Sequence, residues 1–286
     1  MSLIAIAIFD TPENRRSELT RRTLESLLDT VDFTRHRVFL SVNAATPGTM
    51  IAISNFGKAI GSALDVIHNE DNLGTARAIN KAWKYRQPGE NAIKMDNDVV
   101  IHQAGWVDIL EECISREPRI GIIGLKRKDL DEGRENSPAQ FASKLIRLHA
   151  PKGYRWLDVE VVQHVMGTCQ MYSAALLDKI GYLYQPGLYG FDDSLAAARC
   201  QKAGFFSCFY PAIEIDHIDP PGVHDASYTK WKSSHVSVDH PDKIEYERLK
   251  DGYLRGAIPV YYDADGNQPP VDGAPAHSWT IPNLTR

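Results

Sequence analysis

Short apolar runs separated by amphipathic stretches set the rhythm of this 286-residue chain. The runs over 3–9, 37–42, 64–68, 92–95, 99–101, 119–125, 159–166, 169–172 and 205–215 each have the length of a buried strand. Between them, Leu19, Leu24, Leu27 and Leu28 recur near helical spacing within 15–28, and helices are predicted over 75–85, 103–115, 174–180 and 192–203. Strands alternating with helices predict an α/β fold with a mostly parallel, doubly wound sheet, whose ligands collect at the carboxyl ends of the strands. Residues 126–138 break the rhythm and are expected to form a charged, proline-ended surface insertion. Beyond 217 the composition shifts to proline and histidine with little periodicity, which predicts a flap and tail over 219–286 rather than a second domain.

Composition narrows the partners. With 43% hydrophobic residues the chain can bury a sizeable core, and a net charge of −5 offers no basic field for a nucleic acid. Cys113, Cys169, Cys200 and Cys208 are scattered without a Cys-x-x-Cys pair, so reduced thiols in a cytoplasm are expected. No run reaches the ~20 apolar residues of a membrane helix, which leaves a cytoplasmic enzyme, at most peripheral to a membrane.

Candidate chemistry centres on Asp96-Asn97-Asp98, set between the apolar runs 92–95 and 99–101. Two carboxylates at the mouth of a strand can share a divalent cation, or divide between a cation and a sugar hydroxyl. The spacing alone equally suits a solvated turn. Asp129-Leu130-Asp131 and Asp263-Ala264-Asp265 share it without the flanking strands, and the latter reads as a turn lacking the ligands of a calcium loop. Phe9, Thr11, Asn43, Asp96, Asp98, Asp216 and His217 all fall at predicted strand ends and could line one crevice.

Four stretches line up in one order: Asn72-x-Gly74-x-x-x-Ala78-x-Asn80, then Asp96-x-Asp98, then the run 167–173, then Asp192-Asp193 opening a helix that ends Lys202-Ala203-Gly204-Phe205. This order resembles the inverting, family 2-like glycosyltransferases of the GT-A fold, closely from 167 to 205 and as an order of motifs from 3 to 217. The resemblance implies a three-layer, Rossmann-like nucleotide-sugar-binding unit over 1–218. It implies a UDP-sugar donor, with GDP or dTDP as other candidates, and an unidentified hydroxyl acceptor, saccharide or lipid-linked. It places Asp98 and His217 on Mn²⁺ or Mg²⁺, Asp96 on the ribose or a metal-bound water, and Asp193 as general base. Phe9, Thr11, Asn43 and Arg77 would contact the nucleotide, and Lys230 and Lys232, on either side of Trp231 in a hinged flap, would close over the diphosphate.

Each assignment has a plainer counterpart. His217 taken alone suits a strand end bonded to a carbonyl better than a metal ligand, and it is the acidic triplet upstream that turns the reading. Asp192 suits a helix N-cap where relatives more often carry Glu. Arg77 and the two lysines could simply be solvated. Val42 stands where relatives often carry a base-reading Asp, and the turn after the first strand departs from the usual pattern, so the nucleotide is less determined than the metal. Two rival functions follow: an inactive GT-A-like protein that binds UDP and metal, and an Mg²⁺-dependent phosphatase with an aspartyl nucleophile. The phosphatase reading is disfavoured because its triplet normally closes the first core strand. No Gly-x-Gly-x-x-Gly supports a dehydrogenase.

Overall fold

A computed structural model describes residues 1–128, 142–149, 155–219 and 226–268. The Asp129–Asp131 triplet, the rest of the charged segment to 138, and the hinge residues Pro220, Pro221, Gly222 and His224 lie outside the described residues.

The elements run β1 (Ser2–Phe9), α1 (Ser17–Thr30), β2 (Arg37–Ala44), α2 (Pro47–Ile60), β3 (Leu64–His68), α3 (Gly74–Trp83), β4 (Asn91–Met95), β5 (Val99–Ile101), α4 (Trp106–Arg116) and β6 (Ile120–Arg127). After these come β7 (Ala142–Leu148), β8 (Leu157–Val162), β9 (Cys169–Tyr172), α5 (Ala174–Ile180), α6 (Asp192–Lys202), β10 (Phe206–His217), α7 (Ala226–His235) and α8 (Pro241–Arg255). Among the described residues the strands form one sheet in the order β3-β2-β1-β4-β9-β6-β10-β8-β7, with β5 paired to β10.

The core is parallel, as expected: β3, β2, β1 and β4 all run one way, and β6 lies parallel to β10. Around it the sheet is mixed. β9 runs antiparallel between β4 and β6, while β8 and β7 extend the β10 edge antiparallel. β1 shows why two helical layers are needed. Ile4, Ile6 and Ile8 point to one face, against Leu24 and Leu27 of α1 and Trp106 and Leu110 of α4, while Leu3 and Ala5 point to the other, toward Ile79 of α3 and Leu176 of α5. A sheet apolar on both faces is stable only when both are covered.

Four elements escape the apolar pattern: α2, β7, α7 and α8. In α2 the buried positions reduce to Thr49, Ala52, Ile53 and Phe56, although Pro47 in its first turn is a start signal. In α8 the buried face is Tyr246, Leu249 and Tyr253, at helical spacing but interleaved with charge. This face joins Leu195 and Ala198 of α6 and Tyr262 in a third apolar cluster. Among the described residues the tail contains two helices, α7 and α8, which the weak periodicity there did not predict. The 263–267 stretch is the expected turn, with the Asp263 carboxylate accepting from the backbone N–H of Asp265 and Asn267 at 2.9 and 2.8 Å. No helix among the described residues is long and apolar enough to cross a membrane. All four cysteines are buried and unpaired.

Candidate active site

The carboxyl ends of β1, β2 and β4 open into a cleft of about 300 Å³, closed on its far side by the 188–193 segment and α7. Phe9, Asn43, Asp96, Asp98, Asp193, His217 and Lys232 all line it. Thr11, Arg77 and Lys230 do not. Thr11 is turned into its own loop, where its N–H donates to Asn14 Oδ1 at 2.8 Å, and Arg77 and Lys230 are exposed on α3 and α7.

Strand register brings Asp98 and His217 together. β5 pairs antiparallel with the end of β10, with His217 opposite Val99, and the Ile218 N–H donates to the Asp98 carbonyl at 2.8 Å. His217 Nε2 then lies 3.5 Å from Asp98 Oδ2. Asp219, which the motif reading did not single out, completes the cluster: ligand atoms of Asp98, His217 and Asp219 all lie within 4.8 Å of one another. Two carboxylates and an imidazole form a donor set suited to Mn²⁺ or Mg²⁺. Asp98 Oδ1 is buried with no hydrogen-bond partner, an orphaned acceptor of the kind a bound cation would satisfy. These residues fit a divalent ion.

Arg16, also absent from the motif reading, reaches the same carboxylates. Its Nη2 contacts Asp98 Oδ2, its Nη1 lies 3.3 Å from Asp219 Oδ2, and its Nε donates to Asn97 Oδ1 at 3.2 Å. Burial works against charge on Asp98, but Arg16 and His217 outweigh it and hold the carboxyl well below the usual range. Asp96 goes the other way. Burial raises its pKa to about 6, opposed by Lys94 and reinforced by Asp98.

A second group of charges lies under the acidic pair. Lys94, inward on β4 and 3% exposed, donates to the Gly167 carbonyl at 2.9 Å and lies 3.1 Å from Asp192 Oδ2 and 3.6 Å from Asp96 Oδ1. Gly167 in turn donates its N–H to Asp193 Oδ2 at 3.0 Å, and the Ser194 N–H holds Asp193 Oδ1 at 2.7 Å. A Cβ on Gly167 would stand 2.5 Å from Lys94 Nζ, so a side chain there would have to push the ammonium aside. Phe191, immediately before the pair, has φ +71, a strained value for a non-glycine residue that turns the start of α6 into the cleft.

Asn43 lines the cleft and is also bonded to the loop beside it. Asn43 spends its amide on the neighbouring loop: Oδ1 accepts from Asn69 Nδ2 at 2.9 Å and from the Leu73 N–H at 3.3 Å, and Nδ2 donates to the Gly74 carbonyl at 3.2 Å. It shapes the pocket. Asn80 of the same motif clasps Leu183 through both backbone groups, at 2.8 and 2.9 Å, fixing the 181–190 loop over the cleft.

The fold is shared with solved glycosyltransferases. The mannosyltransferase PcManGT from Pyrobaculum calidifontis, in complex with GDP-Man and Mn²⁺, superposes with a TM-score of 0.59 at 16% identity, over 90% of this chain and 72% of that one. S. aureus TarS 1-349 in complex with UDP gives 0.59 at 16% identity, over 88% and 65%. GalNAc-T7 with UDP, GalNAc and Mn²⁺ gives 0.62 at 13%, over 91% of this chain and 51% of that one. These likenesses establish the GT-A architecture. No curated protein matches the chain in sequence. The profile of glycosyl transferase family 2 matches residues 13–181, more than half of the length, and the chain belongs to that family.

Proposed function

We propose that this glycosyltransferase moves a sugar from a nucleoside diphosphate donor, with UDP favoured, to a hydroxyl acceptor with inversion at the anomeric carbon. One observation carries the reading: Asp193 lines the same cleft as a cluster, Asp98, His217 and Asp219, able to hold a divalent ion. UDP is favoured because TarS and GalNAc-T7 were solved with it, although PcManGT carries GDP-Man.

In this reading Asp98 and His217, joined by Asp219, would hold the ion. When bound, a divalent cation neutralises the charge that grows on the departing diphosphate. Asp96 faces the ribose, and Lys232 of α7 faces the diphosphate. Each Asp193 oxygen accepts one backbone N–H and keeps a second lone pair. Asp193 takes the acceptor's proton as the acceptor oxygen bonds to the anomeric carbon and the bond from that carbon to the phosphate oxygen breaks. The two backbone contacts fix the carboxylate plane in advance. Residues 1–218 form the body of the donor-binding unit, and the described part of 219–268, which adds Asp219 and Lys232 to the cleft, is anchored to it through α8 rather than being an independent domain.

The test combines binding with turnover. UDP is titrated calorimetrically with and without Mn²⁺, and a panel of nucleotide sugars is screened for donor hydrolysis or transfer by wild type and Asp193→Asn. Loss of about 10²–10⁴-fold in turnover, with UDP–Mn²⁺ affinity unchanged, is expected. Full activity in Asp193→Asn, or UDP binding indifferent to Mn²⁺, rejects the assignment.

A further inference from the structure

Arg16 stands where a cation is expected. Its backbone is fixed: the N–H donates to Asp10 Oδ1 at 2.7 Å, while Asp10 Oδ2 accepts from the Thr49 hydroxyl at 2.6 Å and from Thr46 at the start of α2. Arg15, just before it, has φ +52, so the turn is strained into the shape that sends the Arg16 side chain across the cleft. There the guanidinium bridges Asp98 and Asp219, two of the three members of the metal-capable cluster.

A guanidinium cannot yield by losing its proton. An ion in this cluster, whether on the orphaned Asp98 Oδ1 or on the Oδ2 atoms, would stand close to the guanidinium that already holds both carboxylates, and the two positive charges repel one another. That repulsion drives the guanidinium off the carboxylates. The cleft beside it is where a diphosphate would lie, and the planar fork of arginine matches phosphate oxygens in two parallel hydrogen bonds. We infer that Arg16 is a displaceable internal cation. In the ligand-free cleft it neutralises Asp98 and Asp219, and when a divalent ion takes those carboxylates it turns to the donor diphosphate. Metal and nucleoside diphosphate therefore bind as a mutually reinforcing pair, and the metal alone binds poorly. The inference rests on the reading that Asp98 and His217 hold the ion.

The experiment uses the full chain, Mn²⁺ and UDP. Mn²⁺ binding is followed by loss of the free-ion electron paramagnetic resonance signal, with and without UDP, and UDP binding without metal by calorimetry. In wild type, UDP is expected to tighten Mn²⁺ by about tenfold or more, and linkage requires the same factor in reverse. Arg16→Gln is expected to shift the two affinities in opposite directions, Mn²⁺ alone about tenfold tighter and UDP alone about tenfold weaker, so that the coupling shrinks. Arg16→Lys, which keeps the charge but cannot span both carboxylates, is expected to move Mn²⁺ affinity the same way by less, and serves if the glutamine variant does not fold. An Arg16→Gln protein that binds Mn²⁺ no more tightly, while wild type binds it with UDP, overturns the inference and leaves the metal site standing. Weakening of both affinities makes Arg16 a structural prop and also overturns it. Absence of Mn²⁺ binding in wild type even with UDP removes the metal reading itself.

Discussion

Lys94 Nζ lies 3.1 Å from Asp192 Oδ2, an ion pair without hydrogen-bond alignment between side chains only 4% and 8% exposed. It joins β4 to the first residue of α6 beneath the cleft. Burial opposes charge on Lys94, but the carboxylates of Asp192, Asp96 and Asp193 outweigh it and hold the ammonium above its ordinary range. Removing one member of a buried pair strands the other. Lys94→Met should therefore destabilise the fold by about 3 kcal/mol in urea titration, and adding Asp192→Leu should recover most of that loss. A double variant no more stable than the single one would show that the pair is not what joins strand to helix.

The two carboxyls of the triplet should titrate in opposite senses. Burial raises Asp96 to about 6, above the ~3.9 of an unfolded chain, so between those values the native metal-free protein binds more protons than the unfolded one. Its contribution to stability is present in acid and lost as pH rises through about 6. Asp98 is the reverse: held low by Arg16 and His217 against burial, it contributes above about pH 4 and is lost in stronger acid. Urea midpoints of wild type and Asp96→Asn between about pH 5 and 7 test the first half. Parallel curves for the two proteins would refute it.

Arg199 should behave as a clamp for the tail. Fully buried, it donates to the carbonyls of Ile180, of Tyr182 at 2.9 Å and of Val260 at 2.6 Å, with the Tyr262 ring 4.8 Å away. Arg199→Met removes three charged hydrogen bonds, although the Ile180 carbonyl keeps the Tyr262 N–H, and should cost about 3 kcal/mol. Hydrogen exchange should quicken in α8 before the sheet, because Tyr253 and Tyr262, hydroxyls 2.6 Å apart, join that helix to the clamped segment. Uniform loss of protection across sheet and α8 would count against a local clamp.

Gly74 offers a test of the loop over the cleft. Its φ is +72, and a Cβ there would lie 2.8 Å from the Leu188 carbonyl oxygen. Gly74→Ala should lower stability by about 1–3 kcal/mol from backbone strain and displace the segment carrying Tyr189. UDP affinity should fall with it, measured calorimetrically, whereas the neighbouring exposed Arg77→Ala should leave affinity unchanged. A larger effect at Arg77 would reverse the assignment of that wall.

The order of apolar and polar residues is enough to place the alternating strands and helices and the residues that could carry chemistry at strand ends. The reason is local: a buried strand needs a short apolar run, and functional groups collect where such runs stop. Asp96, Asp98, Asp193 and His217 were legible because each lies at the end or start of a recognisable element, within a recognisable order of motifs. The tail helices were not, since α8 buries tyrosines between charges and its partner surface on α6 is remote in the chain.

Which of these groups meet depends on how distant elements pack. The antiparallel pairing of β5 with β10 sets His217 beside Asp98 and carries Asp219 in with it. Arg16 and Lys94 looked in one dimension like a helix-start arginine and a strand lysine, and became cleft charges only when α1 and β4 were placed against the acidic segments. Arg77 and Lys230 fell outward for the same reason, because the face a helix buries depends on what packs against it. Periodicity reports on one element at a time, whereas charge pairing in a cleft is a property of several elements meeting at once.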